Sequence, residues 1–180
     1  MNELKIIFAG PVGSGKTTAI ITLSDDAPVS TNQSASDMTR DRKSETTVAM
    51  DYGTMTLDDS EKIHLYGTPG QERFDFMWDI LTSNGLGLIL LLDNTRRDPL
   101  NDMTFFLESF KNYIKETAVS IGITQTDVVP LLKMDKYHRK MKELGFKGAI
   151  FEVDARSFND MSHLVQALLF TIDPGLEYSA

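Results

Sequence analysis

Short apolar runs alternate along the chain with longer segments whose apolar residues recur at helical spacing. Four runs have the length and composition of buried strands: Leu4–Ala9, Leu86–Leu92, Ala118–Ile123 and Ala149–Val153. Strands that alternate with helices form a largely parallel sheet, because each helix carries the chain back to the start of the next strand. The pattern therefore predicts an α/β fold of the doubly wound type.

Two more strands are predicted between the first two runs, at Thr46–Leu57 and Lys62–Tyr66. Residues 58–60, two aspartates and a serine, favour a turn, so this pair is expected to be antiparallel. The sheet then has six strands and is mostly parallel. The preceding stretch Ser24–Glu45 is polar and has neither strand nor helix periodicity, which predicts a long loop.

Helices are expected on both faces of this sheet. Their predicted bounds are Thr17–Leu23, about Glu72 to Thr82, Leu100–Lys115, Leu131–Leu144 and Asp160–Ile172. In the last helix the apolar residues share one face, which is typical of packing against a core: Met161, Leu164, Val165, Leu168 and Ile172.

The composition is that of one globular domain. The chain has 180 residues, of which 41% are hydrophobic and 24% charged. This length suits one core and is short for two. No repeat or linker interrupts the alternating pattern, so a single domain over residues 1–180 is predicted.

The formal net charge of −8 and the absence of cysteine exclude several classes of function. Binding to nucleic acid or to an anionic membrane needs clustered cations, so neither is expected. Without cysteine there are no disulfides, thiolate metal sites, or prenyl or palmitoyl anchors. The longest apolar run is about seven residues, against the ~20 that a membrane helix needs. We expect a cytoplasmic protein without a membrane anchor.

Residues 10–17 read GPVGSGKT and fit the pattern G-x-x-x-x-G-K-[ST] between a strand and a helix start. In such a loop the backbone N–H groups surround phosphates, and the helix N-terminus adds the positive end of its dipole. Lys16 is expected to reach the β- and γ-phosphates, Thr17 to bind Mg²⁺, and Thr18 to help at the α-phosphate. The motif alone leaves a GTPase, an ATPase and a nucleoside kinase open. The expected phosphate-binding residues are Gly10, Val12, Gly13, Ser14, Gly15, Lys16, Thr17 and Thr18.

Residues 64–74 read HLYGTPGQERF and resemble the switch II segment D-x-x-G-Q-E of Ras-superfamily small GTPases. The likeness extends to bacterial GTPases of the gliding-motility MglA type, which carry x-x-P-G-Q, and it covers roughly residues 3–172. It implies a P-loop small G domain. It also implies that the Gly70 N–H contacts the γ-phosphate and that Gln71 orients the attacking water. Gln71, Gly70 and Lys16 are therefore the expected catalytic residues.

One position departs from the family pattern. The aspartate that stands behind the magnesium-bound water in the family is Gly67 here. Asp93, at the end of a predicted strand, or Asp37 or Asp41, from the long loop, are candidates to replace it. The sequence does not choose among these three carboxylates.

The resemblance also implies a switch I threonine that completes the magnesium shell when GTP is bound. Thr47 aligns with it, and Thr46 is the neighbouring competitor. The long loop before them would then be ordered by the γ-phosphate and released on hydrolysis. The structural alternative is that both threonines are only β-branched residues that open a strand.

For the base, the family motif N-K-x-D corresponds to residues 124–127, which read TQTD and follow a predicted strand. Asp127 is expected to bind guanine, and residues 133–136, KMDK, are the competing match inside a helical segment. Asp154-Ala155-Arg156 follows the last strand as the family's S-A-K loop does. A helix N-cap is the structural alternative for Asp127. The expected base-binding residues are Gln125, Asp127, Ala155 and Arg156.

The resemblance implies a protein that binds GTP, hydrolyses it to GDP with Mg²⁺, and acts as a switch read by effector proteins. Val12 stands where Ras has glycine, which suggests slow hydrolysis without an activating partner such as a roadblock-type protein. Arg40, Arg42 and Arg73 are candidates for an arginine finger in cis. One alternative is a P-loop ATPase or nucleoside kinase, with Arg96-Arg97 as lid arginines, and another is a non-hydrolysing nucleotide-binding module.

Overall fold

The fold is a single sheet with helices on both faces, described by a computed structural model over residues 4–27, 29–30, 50–58, 61–69, 85–130 and 132–173. Within these residues the strands are β1 Leu4–Ala9, β2 Val29–Ser30, β3 Asp51–Asp58, β4 Glu61–Gly67, β5 Gly87–Asp93, β6 Val119–Thr124 and β7 Ala149–Glu152. The helices are α1 Lys16–Leu23, α2 Pro99–Ser109, α3 Lys111–Glu116, α4 Met134–Glu143 and α5 Phe158–Ile172.

The strand order is β2-β3-β4-β1-β5-β6-β7. Strands β4, β1, β5, β6 and β7 run parallel, whereas β3 is antiparallel to β4. The predicted antiparallel pair and the predicted fold class are therefore confirmed. The six predicted strands correspond to β1 and β3–β7, and β2 is an additional strand of two residues. The short β2 pairs with the start of β3 through Val29 and Ser30. This edge strand lies within the stretch Ser24–Glu45, which was predicted to be a loop. A strand of two residues is too short to produce a periodic pattern, so the sequence did not indicate it.

The sheet has two buried faces, and β1 supplies residues to both. Ile6 and Phe8 belong to the core under α1 and α5, whereas Ile7 and Ala9 belong to the core under α2 and α4. This division follows from the alternation of side chains along a strand. It explains why β1 and β5 read as continuous apolar runs.

Two helix predictions need correction. The predicted helix Leu100–Lys115 is divided at the buried Phe110, whose φ of −96° and ψ of 13° leave the helical region. In α5, Ile172 is 40% exposed and Leu169 is buried instead. Both differences reflect the tertiary packing of individual side chains, which periodicity alone does not specify.

Other predictions fall on residues outside the described ranges. These include the helix from about Glu72 to Thr82 and most of the loop Ser24–Glu45. Strand β3 begins at Asp51, after Met50, and the earlier part of the predicted strand, residues 46–49, lies outside the described ranges. None of the described helices combines the length and the apolar character needed to cross a membrane.

Candidate functional site

The loop between β1 and α1 is shaped by glycines in the left-handed region. The φ angles of Gly10, Gly13 and Gly15 are 142°, 84° and 97°. A Cβ on Gly10 would lie 2.1 Å from the carbonyl oxygen of Leu91, so no other residue fits there. All three positions need glycine because other residues rarely adopt such angles, and at Gly10 the backbone also passes close to β5.

The start of α1 is open to an anion. Gly15 precedes the helix, and no side chain in the described part of the chain caps its N-terminus. An uncapped N-terminus leaves N–H groups and a partial positive charge directed outward. The Ser14 hydroxyl is fully buried and has no hydrogen-bond partner among the described residues. Such an orphaned group is unfavourable unless a ligand satisfies it.

Lys16 lies over this loop and is only 8% exposed. Its Nζ donates hydrogen bonds to the carbonyl oxygens of Gly10 at 2.8 Å and Pro11 at 2.9 Å. Burial lowers the pKa of Lys16 from 10.5 to about 8, and the opposing effect of the Asp51 charge is smaller. The ammonium of Lys16 is therefore held against the phosphate loop by two carbonyl groups of that loop.

The loop after β6 is tied directly to the phosphate loop. Thr124 Oγ1 donates to the Ser14 carbonyl oxygen at 2.9 Å, and Gln125 Nε2 donates to the Gly13 carbonyl oxygen at 2.8 Å. Gln125 itself has a positive φ of 58°. Thr124 and Gln125 stand where the family motif has asparagine and lysine, and they join the two loops through their own side chains.

A charged cluster lies at the far end of the same cleft. The Arg156 guanidinium donates to Asp154 through Nε at 2.8 Å and to Asp127 through Nη2 at 3.1 Å. The hydrogen bonds from Arg156 hold the pKa of Asp154 below its usual range, and the two carboxylates raise that of Arg156. The Asp154 N–H donates to Asp160, which fixes the loop on the first turn of α5. Arg156 therefore bridges the loops after β6 and β7.

The end of the phosphate loop from Gly13 to Gly15, the loop after β6 and the charged cluster line one cavity of about 440 Å³. It runs from the phosphate loop to the charged cluster, so the structure brings together residues that the sequence placed in three separate motifs. Asp127 lies in a turn well before α4, which contradicts the helix N-cap alternative. Lys133 and Asp135 lie at the start of α4 and do not line this cavity. The predicted residues that do line it are Gly13, Ser14, Gly15, Thr18, Gln125, Asp127, Ala155 and Arg156.

The structure also places beside Thr17 a carboxylate that is not among the predicted site residues. Asp51, the first residue of β3, accepts a hydrogen bond from the Thr17 hydroxyl at 2.5 Å. It pairs across the sheet with Gly67, the position that holds the family aspartate. A Cβ built on Gly67 would lie 3.2 Å from the Asp51 Cβ and 3.4 Å from its Oδ2. The Asp51 carboxylate thus lies beside Gly67 and in contact with the Thr17 hydroxyl.

The signal for Asp51 was present in the sequence, because it follows Thr47 by four residues and lies within the predicted strand Thr46–Leu57. What the sequence did not show was the register that sets it against Gly67. The proposed substitute Asp93 instead accepts hydrogen bonds from the backbone and hydroxyl of Thr95. Other predicted residues lie outside the described ranges: Asp37, Arg40, Asp41, Arg42, Thr46, Thr47, Gly70, Gln71 and Arg73.

Comparisons with known proteins agree with this geometry. A family model described as "conserved hypothetical ATP binding protein" matches residues 26–173. The chain belongs to this family. The match begins after the phosphate loop, so the loop at residues 10–17 adds an independent indication of nucleotide binding.

The individual relatives are distant, and they comprise an uncharacterized archaeal protein and Rab small GTPases. An uncharacterized protein of Methanocaldococcus jannaschii is 28% identical over 155 residues, which cover 85% of this chain and 90% of the relative. Rab-18-B of Danio rerio is 26% identical, with 78% of this chain and 62% of the Rab covered. Rab-13 of Canis lupus familiaris is 27% identical, with 91% and 77% covered. The chain is thus a P-loop nucleotide-binding protein with distant similarity to Rab small GTPases, and the likeness to the MglA type stays a prediction.

Proposed function

We propose that this protein binds and hydrolyses GTP with Mg²⁺ and acts as a nucleotide-dependent switch. The observation that supports the choice of base is the Asp127 carboxylate at the end of the cleft that starts at the phosphate loop. Guanine offers adjacent N–H donors to a carboxylate, whereas the corresponding edge of adenine offers an acceptor that a carboxylate repels. A carboxylate in this position therefore favours guanine over adenine.

A second candidate is an ATPase, and the description of the family supports it. Asp127 is 63% exposed and already engaged by Arg156, so its preference for guanine would be weaker than that of a buried, unengaged carboxylate. We retain GTP as the leading substrate because the loop that carries Asp127 is joined to the phosphate loop by Thr124 and Gln125. Such ties hold the carboxylate at a fixed place relative to the phosphates.

The residues at the phosphate end suit a magnesium ion. Mg²⁺ binds through one or two protein oxygen ligands together with substrate phosphates and water. Thr17 offers a hydroxyl and Asp51 a carboxylate, in contact with each other beside the loop. When bound, the ion would neutralise charge on the phosphates. We propose Thr17, with Thr47 from outside the described residues, as direct ligands, and Asp51 as the acid that replaces the one missing at Gly67.

The chain's own residues then have distinct tasks. The phosphate-loop amides and Lys16 would hold the phosphates, and Thr18 would contact the α-phosphate. Gly70 and Gln71 would contact the γ-phosphate and orient water, as the family resemblance implies. Slow hydrolysis without an activating protein, and effectors that read the GTP form, complete the proposal.

Calorimetric titration with GTP, GDP and ATP tests the choice of base. We expect both guanine nucleotides to bind more tightly than ATP by about tenfold or more, since one base contact of this kind contributes on the order of 1–3 kcal/mol. Asp127→Ala should reduce this difference, whereas Glu152→Ala, a change at another carboxylate lining the cleft, should preserve it. Preferential binding of ATP would establish the second candidate in place of the first.

Single-turnover hydrolysis tests the catalytic assignment. Gln71→Ala should slow GTP hydrolysis by at least about tenfold, because the attacking water loses its orienting group, while GTP affinity stays near the wild-type value. Equal rates in the variant and the wild type would show that Gln71 has no catalytic role. No turnover in either protein, even with an activating partner, would favour the non-hydrolysing module.

Exchanging the residues at positions 51 and 67, which pair on neighbouring strands, tests the role of Asp51. Asp51→Gly should raise the Mg²⁺ concentration needed to retain GDP, because the site loses its carboxylate. Combining it with Gly67→Asp returns an acid to the neighbouring strand and should restore the wild-type requirement. The measurement is dissociation of a fluorescent GDP at graded Mg²⁺.

Asp93→Asn is the matched control, since it removes the competing candidate's charge and keeps an acceptor for Thr95. It should leave the Mg²⁺ requirement unchanged. If the Asp93 variant shifts the requirement and the Asp51 variant does not, the assignment of Asp51 is wrong.

A further inference from the structure

A second cavity, of about 680 Å³, lies between the loop after β5 and the start of α4. It shares no lining residue with the nucleotide cleft. Four cationic side chains line it, two from each side, together with apolar residues. We call this feature the basic groove and define it by Arg96, Arg97, Lys133, Lys136, Leu100 and Leu132.

The charge of the basic groove is opposite to that of the molecule, which carries a net −8. Within the described part of the chain, Arg97, Lys133 and Lys136 take part in no ion pair. Arg96 pairs with Asp102 on α2. Asp98, the carboxylate in the lining, accepts the Asn101 N–H and so caps α2. The remaining cations are therefore available to an external anion.

The position of the lysines is unfavourable for the helix itself. Lys133 is the N-cap residue of α4, and Lys136 lies in its first turn. Cations at a helix N-terminus oppose the helix dipole, and Asp135 is the one carboxylate in this first turn that favours it. Lys133 provides no side-chain hydrogen bond to the first turn. Residues that weaken the element they belong to are expected at functional sites. The same N-terminus adds its own positive potential to the groove.

Apolar residues form the rest of the lining. Leu100 and Leu132 pack partly against the core, and both also border the cavity. The two sides are joined by a hydrogen bond from Asn94 Nδ2 to the Val129 carbonyl oxygen at 2.9 Å. A free phosphate would use the cations but not the leucines. A peptide that carries both carboxylates and apolar side chains would use both.

We propose that the basic groove binds an acidic segment of a partner protein, one whose carboxylates meet Arg97, Lys133 and Lys136 and whose apolar side chains cover the leucines. This inference does not depend on which nucleotide the protein binds. The site is separate from the nucleotide cleft, and its loss would leave nucleotide binding intact.

Selection from random dodecapeptides displayed on phage, with the full chain as target, tests the proposal. The enriched peptides should combine Asp or Glu with apolar residues. A synthetic, fluorescently labelled copy of an enriched peptide should then bind the wild type, and fluorescence anisotropy measures its affinity. Lys133→Glu combined with Lys136→Glu should weaken that binding by about tenfold or more, because two attractions become repulsions.

Arg139→Glu combined with Lys142→Glu is the matched control. Both residues are exposed on the same helix, and the net charge of the two double variants is equal. This control should keep the wild-type affinity, as should Lys133→Arg with Lys136→Arg. Circular dichroism and thermal unfolding confirm that each variant is folded.

Several results would overturn the proposal. They are a selection with no enrichment, enriched peptides without acidic residues, and equal loss of affinity in the two charge-reversed variants. Complete displacement of the peptide by inorganic phosphate, with no contribution from its apolar residues, would instead assign the groove to a small anion.

Discussion

Lys16 is the residue whose charge state decides whether the phosphate loop can hold a polyanion. Burial lowers its pKa to about 8, so the free protein loses this positive charge in mildly alkaline solution. A bound phosphate would favour the ammonium and raise the pKa again. Binding above about pH 8 must therefore be accompanied by the uptake of a proton.

This linkage predicts that nucleotide affinity falls as pH rises above about 8, by at most about tenfold per pH unit. Below about pH 8 the ammonium is present in both states, and affinity should be constant with respect to this group. The stability of the nucleotide-free protein depends on pH in the opposite direction. Since the unfolded chain holds the proton between about pH 8 and the usual value of 10.5, stability of the free protein gains from rising pH there.

Calorimetry in buffers of different ionisation enthalpy measures the proton uptake directly. The apparent binding enthalpy at about pH 9 should vary with the buffer, and at about pH 7 it should not. Lys16→Ala should bind weakly and show no buffer dependence at either pH. A wild-type affinity that stays flat through this range would mean that the pKa of Lys16 is not lowered in solution.

At the scale of the elements, the contact between β6 and α5 is set by a glycine. A Cβ on Gly122 would meet Leu164 Cδ1 at 2.8 Å, Val153 Cγ2 at 2.8 Å and Leu91 Cδ2 at 2.9 Å. Three side chains would have to move at once in a close-packed core. The missing side chain allows α5 to pack directly on the strand that leads to the base-binding loop.

Gly122→Ala should therefore lower the free energy of unfolding by about 1–3 kcal/mol, the usual cost of overpacking. Ser120→Ala, in the same strand, is the control. Its hydroxyl is buried and has no hydrogen-bond partner among the described residues, so its removal should be neutral or stabilising. Denaturant unfolding followed by circular dichroism measures both changes. Equal stability of the Gly122 variant and the wild type would show that this contact has room for a methyl group.

The elements were predictable where burial alone determines them. β1 begins and ends at the predicted residues, β5 and β6 are each shifted by one residue at both ends, and β7 ends one residue early. The agreement for β5 and β6 follows from burial, because strands buried on both faces are continuous apolar runs. The division of a helix at Phe110 was not predictable, since apolar spacing continues on both sides. That division depends on how one aromatic ring fits the core.

Some residues of the candidate site were likewise predictable from local sequence, and others were not. The phosphate loop and Asp127 follow from local patterns, because glycine angles and the end of a parallel strand are encoded in consecutive residues. Asp51 and the Arg156 bridge require knowledge of which strand and loop lie side by side. The sequence left Asp93, Asp37 and Asp41 open as the missing acid, whereas the carboxylate that contacts Thr17 is that of Asp51, on the strand beside Gly67.

At the scale of the whole molecule, an acidic chain must capture a polyanionic ligand. The net charge of −8 creates a long-range repulsion toward a nucleotide, while the phosphate loop attracts it only at short range. Salt screens the long-range part first, because the Debye length falls from about 30 Å at 0.01 M to about 8 Å at 0.15 M. Added salt therefore weakens the repulsion between the acidic surface and the nucleotide more than it weakens the attraction of the phosphate loop.

We predict that the association rate constant of a fluorescent GDP rises with ionic strength, by about two- to tenfold between 0.01 M and 0.15 M at fixed Mg²⁺. This is the reverse of the behaviour of proteins with cationic clefts. Stopped-flow mixing measures it. The variant with Arg139→Glu and Lys142→Glu is more negative but unchanged in the cleft, so its rate should be lower at low salt and should converge on the wild type at high salt. A rate that falls with added salt would show that the local field of Lys16 and the loop amides extends beyond the acidic surface and steers the nucleotide in.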